Sequence, residues 1–348
     1  NTNMVTFNNN QSPFDSMEPG EASSTINLFN FYVNEDISLG DPDCNLIVSA
    51  TNQLDELYQY SFSVPINISL DQWGYPIYLG SQVKGAPLVI DMNNDDLPEV
   101  ITGDYAGGIH ILGQFGLEIG YFDVGNQIWG SPAGGDIDGD GFADVAVGSK
   151  SKHLYVFDKD SLKLDYNADS YLIATPALGQ LDDDLDLEIV IGGYSSNNRK
   201  MYAVNIDGTD VEGFPVDIGE KIFCGVALHD FNNNGKDDIV FGTDSDNIIL
   251  MDDSGSILWS FETGDKIQGA PSIIDLGESI LICAGSKDDN MYCLNENGEL
   301  QFHVETQGNV NTSPSAVDIN HGVAIFFGSD DGYIYGIDSN GNNLDGWP

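Results

Sequence analysis

The chain has 348 residues, with 56 Asp and Glu against 11 Lys and Arg, a net charge of −45. That field repels phosphate backbones and anionic lipid, so nucleic acid is excluded as a partner and cations are favoured. A hydrophobic fraction of 41% supplies a core, and no apolar run reaches the roughly 18 residues of a membrane span, so no membrane insertion is expected.

In chain order, Asn1-Thr2-Asn3 shows neither an initiator Met nor a charged-then-apolar leader, and reads as a processed or trimmed end. Residues 1–24, rich in Asn, Ser and Pro, read as a flexible or tethering segment. Between 25 and 70 come three strand-like runs, at 26–33, 46–50 and 58–64, whose period-2 alternation indicates half-buried β-strands. Three strands are too few for a sandwich. This small β region is either a partial immunoglobulin-like fragment or an appendage.

From residue 71 to 348 the sequence repeats. Gly85-Ala86-Pro87, Gly130-Ser131-Pro132, Ala174-Thr175-Pro176, Cys224-Gly225-Val226, Gly269-Ala270-Pro271 and Thr312-Ser313-Pro314 open equivalent units, starting near 84, 129, 173, 223, 268 and 311. Their third residues lie 45, 44, 50, 45 and 43 positions apart. Each start leads into a short apolar strand, then a loop, then a second strand ending in Gly, such as Asp144-Val145-Ala146-Val147-Gly148. A third strand alternates apolar residues, as in His153-Leu154-Tyr155-Val156-Phe157-Asp158, and a turn leads to a fourth, such as Ile257-Leu258-Trp259-Ser260-Phe261. Four short strands per unit, with no 3.6-residue periodicity, predict an all-β fold: a β-propeller of about six four-stranded blades, with seven as the alternative.

A propeller must close its ring. The last unit stops at Asp345-Gly346-Trp347-Pro348, where the third unit continues from Glu212-Gly213-Phe214-Pro215 into a fourth strand. The missing strand resembles Trp73-Gly74-Tyr75-Pro76-Ile77-Tyr78-Leu79-Gly80, so residues 73–80 are the expected closing strand. Further blades beyond residue 348, or a strand exchanged between molecules, remain the alternatives.

Four cysteines, Cys44, Cys224, Cys283 and Cys293, are too few for a disulfide scaffold and lack the spacing of a zinc site. Cys283 and Cys293 flank a hairpin centred near Asp288, as either a cross-strand disulfide or two buried thiols.

The loops between first and second strands carry the chemistry. In Asp136-Ile137-Asp138-Gly139-Asp140-Gly141-Phe142-Ala143-Asp144, side-chain oxygens at positions 1, 3, 5 and 9 can converge, with the Phe142 carbonyl at position 7. Hard oxygens in a flexible loop suit Ca²⁺. Gly141, at position 6, supplies the tight turn. The spacing recurs as Asp91, Asn93, Asp95, Leu97 (carbonyl) and Glu99, where Asp96 replaces the glycine. It recurs again as Asp230, Asn232, Asn234, Lys236 (carbonyl) and Asp238, with Gly235 in register. The third unit is degenerate: Gln180, Asp182, Asp184, Asp186 (carbonyl) and Glu188, with Leu185 at the turn. The fifth and sixth loops, after Asp275 and Asp318, are too short for the set. Solvated Asp/Asn/Gly turns arise without metal, but three copies in phase with a repeat point to about three calcium sites and a weaker fourth.

These units resemble FG-GAP (integrin α-subunit-like) repeats, also known as VCBS-type repeats, over roughly residues 84–348. The carriers are the Gly-Ala-Pro-like start and the acidic loop. The last two units, as in Gly328-Ser329-Asp330-Asp331-Gly332-Tyr333-Ile334-Tyr335, look instead like quinoprotein-type blades without metal. The resemblance implies a secreted, extracellular protein active in adhesion or appended to a surface enzyme; a fold alone does not fix a function.

No catalytic constellation is visible. His110, His153, His229, His303 and His321 fall in strands or beside loop acids, and there is no Gly-x-Ser-x-Gly elbow, His-Glu-x-x-His or phosphate loop. Trp73, Trp129, Tyr194, Trp259 and Trp347 are assigned to the rim, for packing between blades or stacking on sugars, while basic residues to grip an acidic polysaccharide are scarce. The expected role is a calcium-stabilised, non-catalytic binding, adhesion or surface-assembly module, whose partner is a protein or glycan at the cell surface or copies of itself. The alternatives are an accessory domain of a larger secreted enzyme, a peptidase or one acting on polysaccharide, and a carbohydrate-active propeller enzyme.

Overall fold

The computed structural model describes residues 5–7, 31–33, 43–51, 55–65 and 74–348, apart from 278, 320 and 321. The chain divides into two compact units, Asn1–Pro76 and Ile77–Pro348, a few residues beyond the boundary expected at 70/71.

In the first unit, β1 (Val5–Phe7) pairs antiparallel with β2 (Phe31–Val33), and β3 (Asp43–Thr51) with β4 (Leu57–Pro65). The runs at 46–50 and 58–64 are therefore the two arms of one hairpin. Val5–Phe7 is a strand inside the segment expected to be a tether, and residues 26–30 of the first expected run lie outside the described residues. A two-stranded ribbon has no second layer to cover it. Ile47, Tyr60 and Phe62 are accordingly 60%, 67% and 54% exposed. Among the described residues the unit holds two two-stranded sheets rather than an immunoglobulin-like sandwich.

The second unit is a β-propeller. Its first blade is β5 (Leu88–Ile90), β6 (Glu99–Gly103), β7 (Gly108–Leu112) and β8 (Glu118–Asp123). The second is β9 (Ala133–Gly135), β10 (Asp144–Gly148), β11 (His153–Phe157) and β12 (Leu162–Asn167). The third is β13 (Ala177–Gly179), β14 (Glu188–Gly192), β15 (Lys200–Val204) and β16 (Val216–Asp217). The fourth is β17 (Ala227–His229), β18 (Asp238–Gly242), β19 (Asn247–Met251) and β20 (Ile257–Glu262). The fifth is β21 (Ser272–Asp275), β22 (Ile280–Gly285), β23 (Asn290–Leu294) and β24 (Leu300–Glu305). The sixth is β25 (Ser315–Ile319), β26 (Gly322–Gly328) and β27 (Ile334–Asp338). Every blade is an antiparallel meander in chain order.

The amino-acid pattern explains this layering. Second strands such as β10, β14 and β18 are apolar runs after an acidic first residue and are buried at every position, because blades cover both of their faces. Fourth strands such as β8, β20 and β24 alternate exposed and half-buried residues, because one face looks outward. The core lies between blades. One cluster joins Ala146 and Leu154 of the second blade to Ile189 and Ile191 of the third, and similar clusters link each consecutive pair from first to sixth.

The glycine opening a unit is required by a close approach. A Cβ on Gly130 would sit 2.4 Å from the Ala174 carbonyl oxygen of the next blade. Ser131 and Thr175 then tie the starts together, accepting from Ala86 N at 2.8 Å and Ser131 N at 3.0 Å.

One expectation changes here and one open alternative is settled. The sixth sheet stops at three strands, and residues 74–80 form no strand, so the described residues do not make the closing pair; Trp73 lies outside them. β25 is exposed along its whole length, and no apolar cluster among the described residues joins the sixth blade to the first. The cysteine pair is resolved: Cys283 and Cys293 face each other across β22 and β23 as a disulfide, with Cα atoms 4.2 Å apart. Cys224 is a free buried thiol that burial pushes up to about 11.

Candidate metal centre

Four loops, joining β5–β6, β9–β10, β13–β14 and β17–β18, share one plan. The position-9 carboxylate opens the second strand and is buried: Glu99 is 4% exposed, and Asp144, Glu188 and Asp238 are 0%. One of its oxygens accepts the backbone N–H of position 2, from Met92 (2.9 Å), Ile137 (3.3 Å), Leu181 (2.5 Å) and Phe231 (3.1 Å). The position-5 oxygen accepts the N–H of position 7, at Leu97, Phe142, Asp186 and Lys236. In three loops the position-1 Asp also accepts the N–H of position 6, at Asp96 (2.8 Å), Gly141 (3.0 Å) and Gly235 (2.8 Å). These turns fix the loop side chains by bonding one oxygen of each to the backbone.

The turn residue explains why Asp96 is tolerated. Position 6 is left-handed, with φ of 89° at Gly141, 87° at Gly235 and 65° at Asp96. Asp adopts that region at modest cost because its side chain bonds locally. Leu185 does not, and no left-handed residue occurs in the third loop. There Gln180 donates its side-chain amide to the carbonyls of Asp182 (3.2 Å) and Asp184 (2.9 Å), holding the loop by another route.

Ligand-competent oxygens nevertheless converge. Asp136, Asp138 and Asp140 present carboxylate oxygens within 4.8 Å of one another, and so do Asp182, Asp184 and Glu188. The loop judged degenerate from its sequence thus gathers carboxylates as well as the best one. Glu188 Oε1, Asp238 Oδ1 and, in the first loop, Asn93 Oδ1 are buried and accept no hydrogen bond, and Asp144 Oδ1 meets only a lysine ammonium. An orphaned buried carboxylate oxygen is costly. Burial raises Asp144 above its ordinary range and lifts Glu188 to about 7 and Asp238 to about 6. Unpaired buried oxygens beside all-oxygen donor sets fit a hard divalent cation. Calcium, when bound, would satisfy those oxygens and neutralise the clustered charge. The residues that would hold it are Asp136, Asp138, Asp140 and Asp144; Asp91, Asn93, Asp95 and Glu99; Asp230, Asn232, Asn234 and Asp238; and Asp182, Asp184 and Glu188. Leu97, Phe142 and Lys236 lie where the plan calls for a backbone carbonyl.

The loops also touch in sequence around the propeller. Asn94 donates to the Gly141 carbonyl (2.7 Å), Leu187 N to the Ile137 carbonyl (2.9 Å), and Asp237 N to the Gln180 carbonyl (2.7 Å). Lys236 Nζ pairs with Asp183 at 3.0 Å. Stiffening one loop therefore braces its neighbour.

One residue was invisible to loop reasoning. Lys163, on β12, reaches back into the second loop, with Nζ 2.7 Å from Asp138, 3.2 Å from Asp140 and 3.0 Å from Asp144. Burial opposes its charge, but the three carboxylates outweigh burial and hold the ammonium protonated well above the usual lysine range. It is a tethered cation in the cluster. Lys163→Met is expected to tighten calcium binding at this loop by on the order of tenfold, an effect of ~1–2 kcal/mol in the competition for the carboxylates. Calorimetric titration of variant and wild type checks this; equal affinities would show that the lysine and the ion do not compete.

The histidines are engaged structurally. His110 lies between Glu118 (2.6 Å) and Asp104 (3.5 Å), and Asp104 itself accepts three backbone N–H groups. His153 pairs with Asp165, and His303 with Asn290. His229 packs edge-on against Phe231; His321 lies outside the described residues. Of the aromatics assigned to the rim, Trp259 caps the next blade through the Glu296 carbonyl (2.9 Å), and Trp347 packs on Phe326. Trp129 directly precedes the second unit start, and Tyr194 N bonds the Tyr171 carbonyl beside the third.

Comparison with known proteins agrees with this geometry. Residues 129–152 match the family model of the FG-GAP repeat. Residues 218–318 match that of the lambda-carrageenase beta-propeller domain. No curated protein sequence matches the chain. Among solved structures it is similar to BBS1N in its complex with ARL6DN, at 10% identity and a TM-score of 0.56, covering 75% of this chain and 80% of that one. The C-terminal domain of PilY1 from Pseudomonas aeruginosa is similar at 14% identity and a TM-score of 0.54, covering 72% of this chain and 80% of that one. These likenesses show the fold. The chain is a β-propeller carrying an FG-GAP repeat.

Proposed function

We propose that this chain is a calcium-stabilised, non-catalytic binding or surface-assembly module that works outside the cell. One observation carries the reading: two fully buried carboxylates, Glu188 and Asp238, each leave an oxygen without a hydrogen bond at the same position of successive loops, and in the loop before them the equivalent oxygen of Asp144 is met only by the Lys163 ammonium. A protein that only needed turns there would not bury unpaired charge. The FG-GAP match overlaps the second of these loops. The partner is a protein or glycan at the cell surface, or copies of the chain itself. Its docking would use surfaces that the metal loops brace.

Calorimetric titration with calcium tests the reading. Three to four ions are expected per chain, and Asp138→Ala should remove one while leaving the fold intact. Absence of binding in millimolar calcium would overturn it. A second reading, an accessory propeller of a secreted polysaccharide-acting enzyme, draws support from the match of residues 218–318 to a carrageenase propeller domain.

A further inference from the structure

The metal loops occupy one end of the blades; the opposite end has a different chemistry. Each first strand runs from the unit start to the acidic loop, and each second strand returns, so the residue after the second strand lies beside the unit start. Backbone bonds fix this, from Tyr105 N to Gln82 O (2.7 Å), Lys150 N to Gln127 O (2.9 Å) and Asp244 N to Lys221 O (2.9 Å). A second strand such as β10, five residues long, separates the two ends by roughly 13–17 Å.

Across the first four blades this end carries a strip of lysines and aromatic rings. Lys84 Nζ lies 3.9 Å from the Trp129 ring and 4.6 Å from that of Tyr105. Lys150 Nζ lies 4.7 Å from the same indole and 5.6 Å from Tyr171, which is 41% exposed. Lys221 Nζ lies 4.9 Å from Tyr194. Tyr105 and Trp129 stack at 6.0 Å. The chain has 56 acids and 11 basic residues, and carboxylates take half of its ten lysines. Lys152, Lys159, Lys236 and Lys266 each pair with one, and Lys163 with three. Among the described residues Lys84, Lys150, Lys200, Lys221 and Lys287 pair with none; of these Lys84, Lys150 and Lys221 lie over aromatic rings, and two of them share a single indole. The strip ends at the fourth blade, where Asp244 takes Tyr194 (3.1 Å), Gln268 (2.9 Å) and Lys266 (3.8 Å) as partners.

We propose that this strip binds an anionic polysaccharide, its lysines taking carboxylate or sulfate groups and its rings the apolar faces of the sugars. Cations held against aromatic faces without counter-ions are complementary to an anion that brings its own apolar surface. A nucleic acid carries a charge at every nucleotide and needs a positive groove, which a few lysines on a chain of net charge −45 do not supply. A polysaccharide charged every sugar or two needs only these few cations. The acidic loops lie beyond the Debye length of about 8 Å at physiological ionic strength, so their repulsion is screened at the strip. The inference deepens the binding role proposed above and rests on it.

Affinity electrophoresis of the full chain at physiological ionic strength tests it, with dextran sulfate, hyaluronan, neutral dextran and a single-stranded oligonucleotide as probes. Retardation is expected with dextran sulfate or hyaluronan, and which of the two is stronger identifies sulfate or carboxylate as the recognised group. Neutral dextran should have no effect. Lys84→Met with Lys150→Met should weaken binding at least tenfold, whereas Lys84→Arg with Lys150→Arg should retain it. Lys221→Met, on a different blade, should weaken it separately if the double variant folds poorly. Both lysine variants should keep the wild-type calcium response, because the metal loops are at the other end. No retardation by either anionic polymer, equal retardation by dextran, stronger binding of the oligonucleotide, or unchanged binding by the methionine variants would each overturn the proposal. Loss of the calcium response with polymer binding intact would instead sink only the metal reading.

Discussion

Chelation will lower the melting temperature of this protein by well over about 10 °C. A ligand that binds only the folded state at a hundred times its Kd stabilises by ~2.7 kcal/mol per site. In a domain of this size, 1 kcal/mol moves the midpoint by roughly 2–4 °C. Three sites that share their loops across successive blades will act together, since Asn94, Leu187 and Lys236 tie each loop to its neighbour. Magnesium should restore less of the loss than calcium, because it demands stricter octahedral geometry than these irregular loops offer. Scanning calorimetry with EDTA, calcium and magnesium measures this. Superimposable melts in EDTA and millimolar calcium would remove the metal sites from any account of the fold.

The second large effect is an inverted pH dependence in the calcium-free protein, which will melt at a lower temperature at pH 7.5 than at pH 5. Glu188 is lifted by burial from 4.5 to about 7, and Asp238 from 3.8 to about 6. The unfolded chain ionises freely as pH rises past these ordinary values, while the folded chain must hold its proton or ionise at a cost. Stability present below about pH 4.5 is therefore lost as pH rises through about 7, by on the order of 2–3 kcal/mol for Glu188. Groups shifted the other way, such as Asp331, lowered to about 2 by backbone and side-chain hydrogen bonds that overcome burial, act only below pH 4. The two windows do not overlap. Saturating calcium should reverse the sign between pH 5 and 7.5, because protons then compete with the ion. Glu188→Gln should flatten the calcium-free slope, and a calcium-free midpoint that rises with pH over that range would contradict the buried, unpaired state of these carboxylates.

The sequence alone determined the blade period, the strand order within each blade and the position of every acidic loop. Those features are local: a left-handed turn at Gly141 or Gly235, an alternation of two in an outer strand and a glycine such as Gly130 at a close approach each need particular residues at fixed spacing. Tertiary structure alone decided the rest. Lys163 enters the second loop from the blade's fourth strand, and nothing in its neighbours marks it. The third loop gathers Asp182, Asp184 and Glu188 although it lacks the turn glycine, because Gln180 and the adjoining blade hold it in shape. Scarce lysines became a strip, because ring-wise packing of blades brings together residues some 45 positions apart in sequence. The strand expected from residues 73–80 failed for the same reason. Its likeness to the third blade is a local property, whereas pairing with β27 depends on where the ring ends meet.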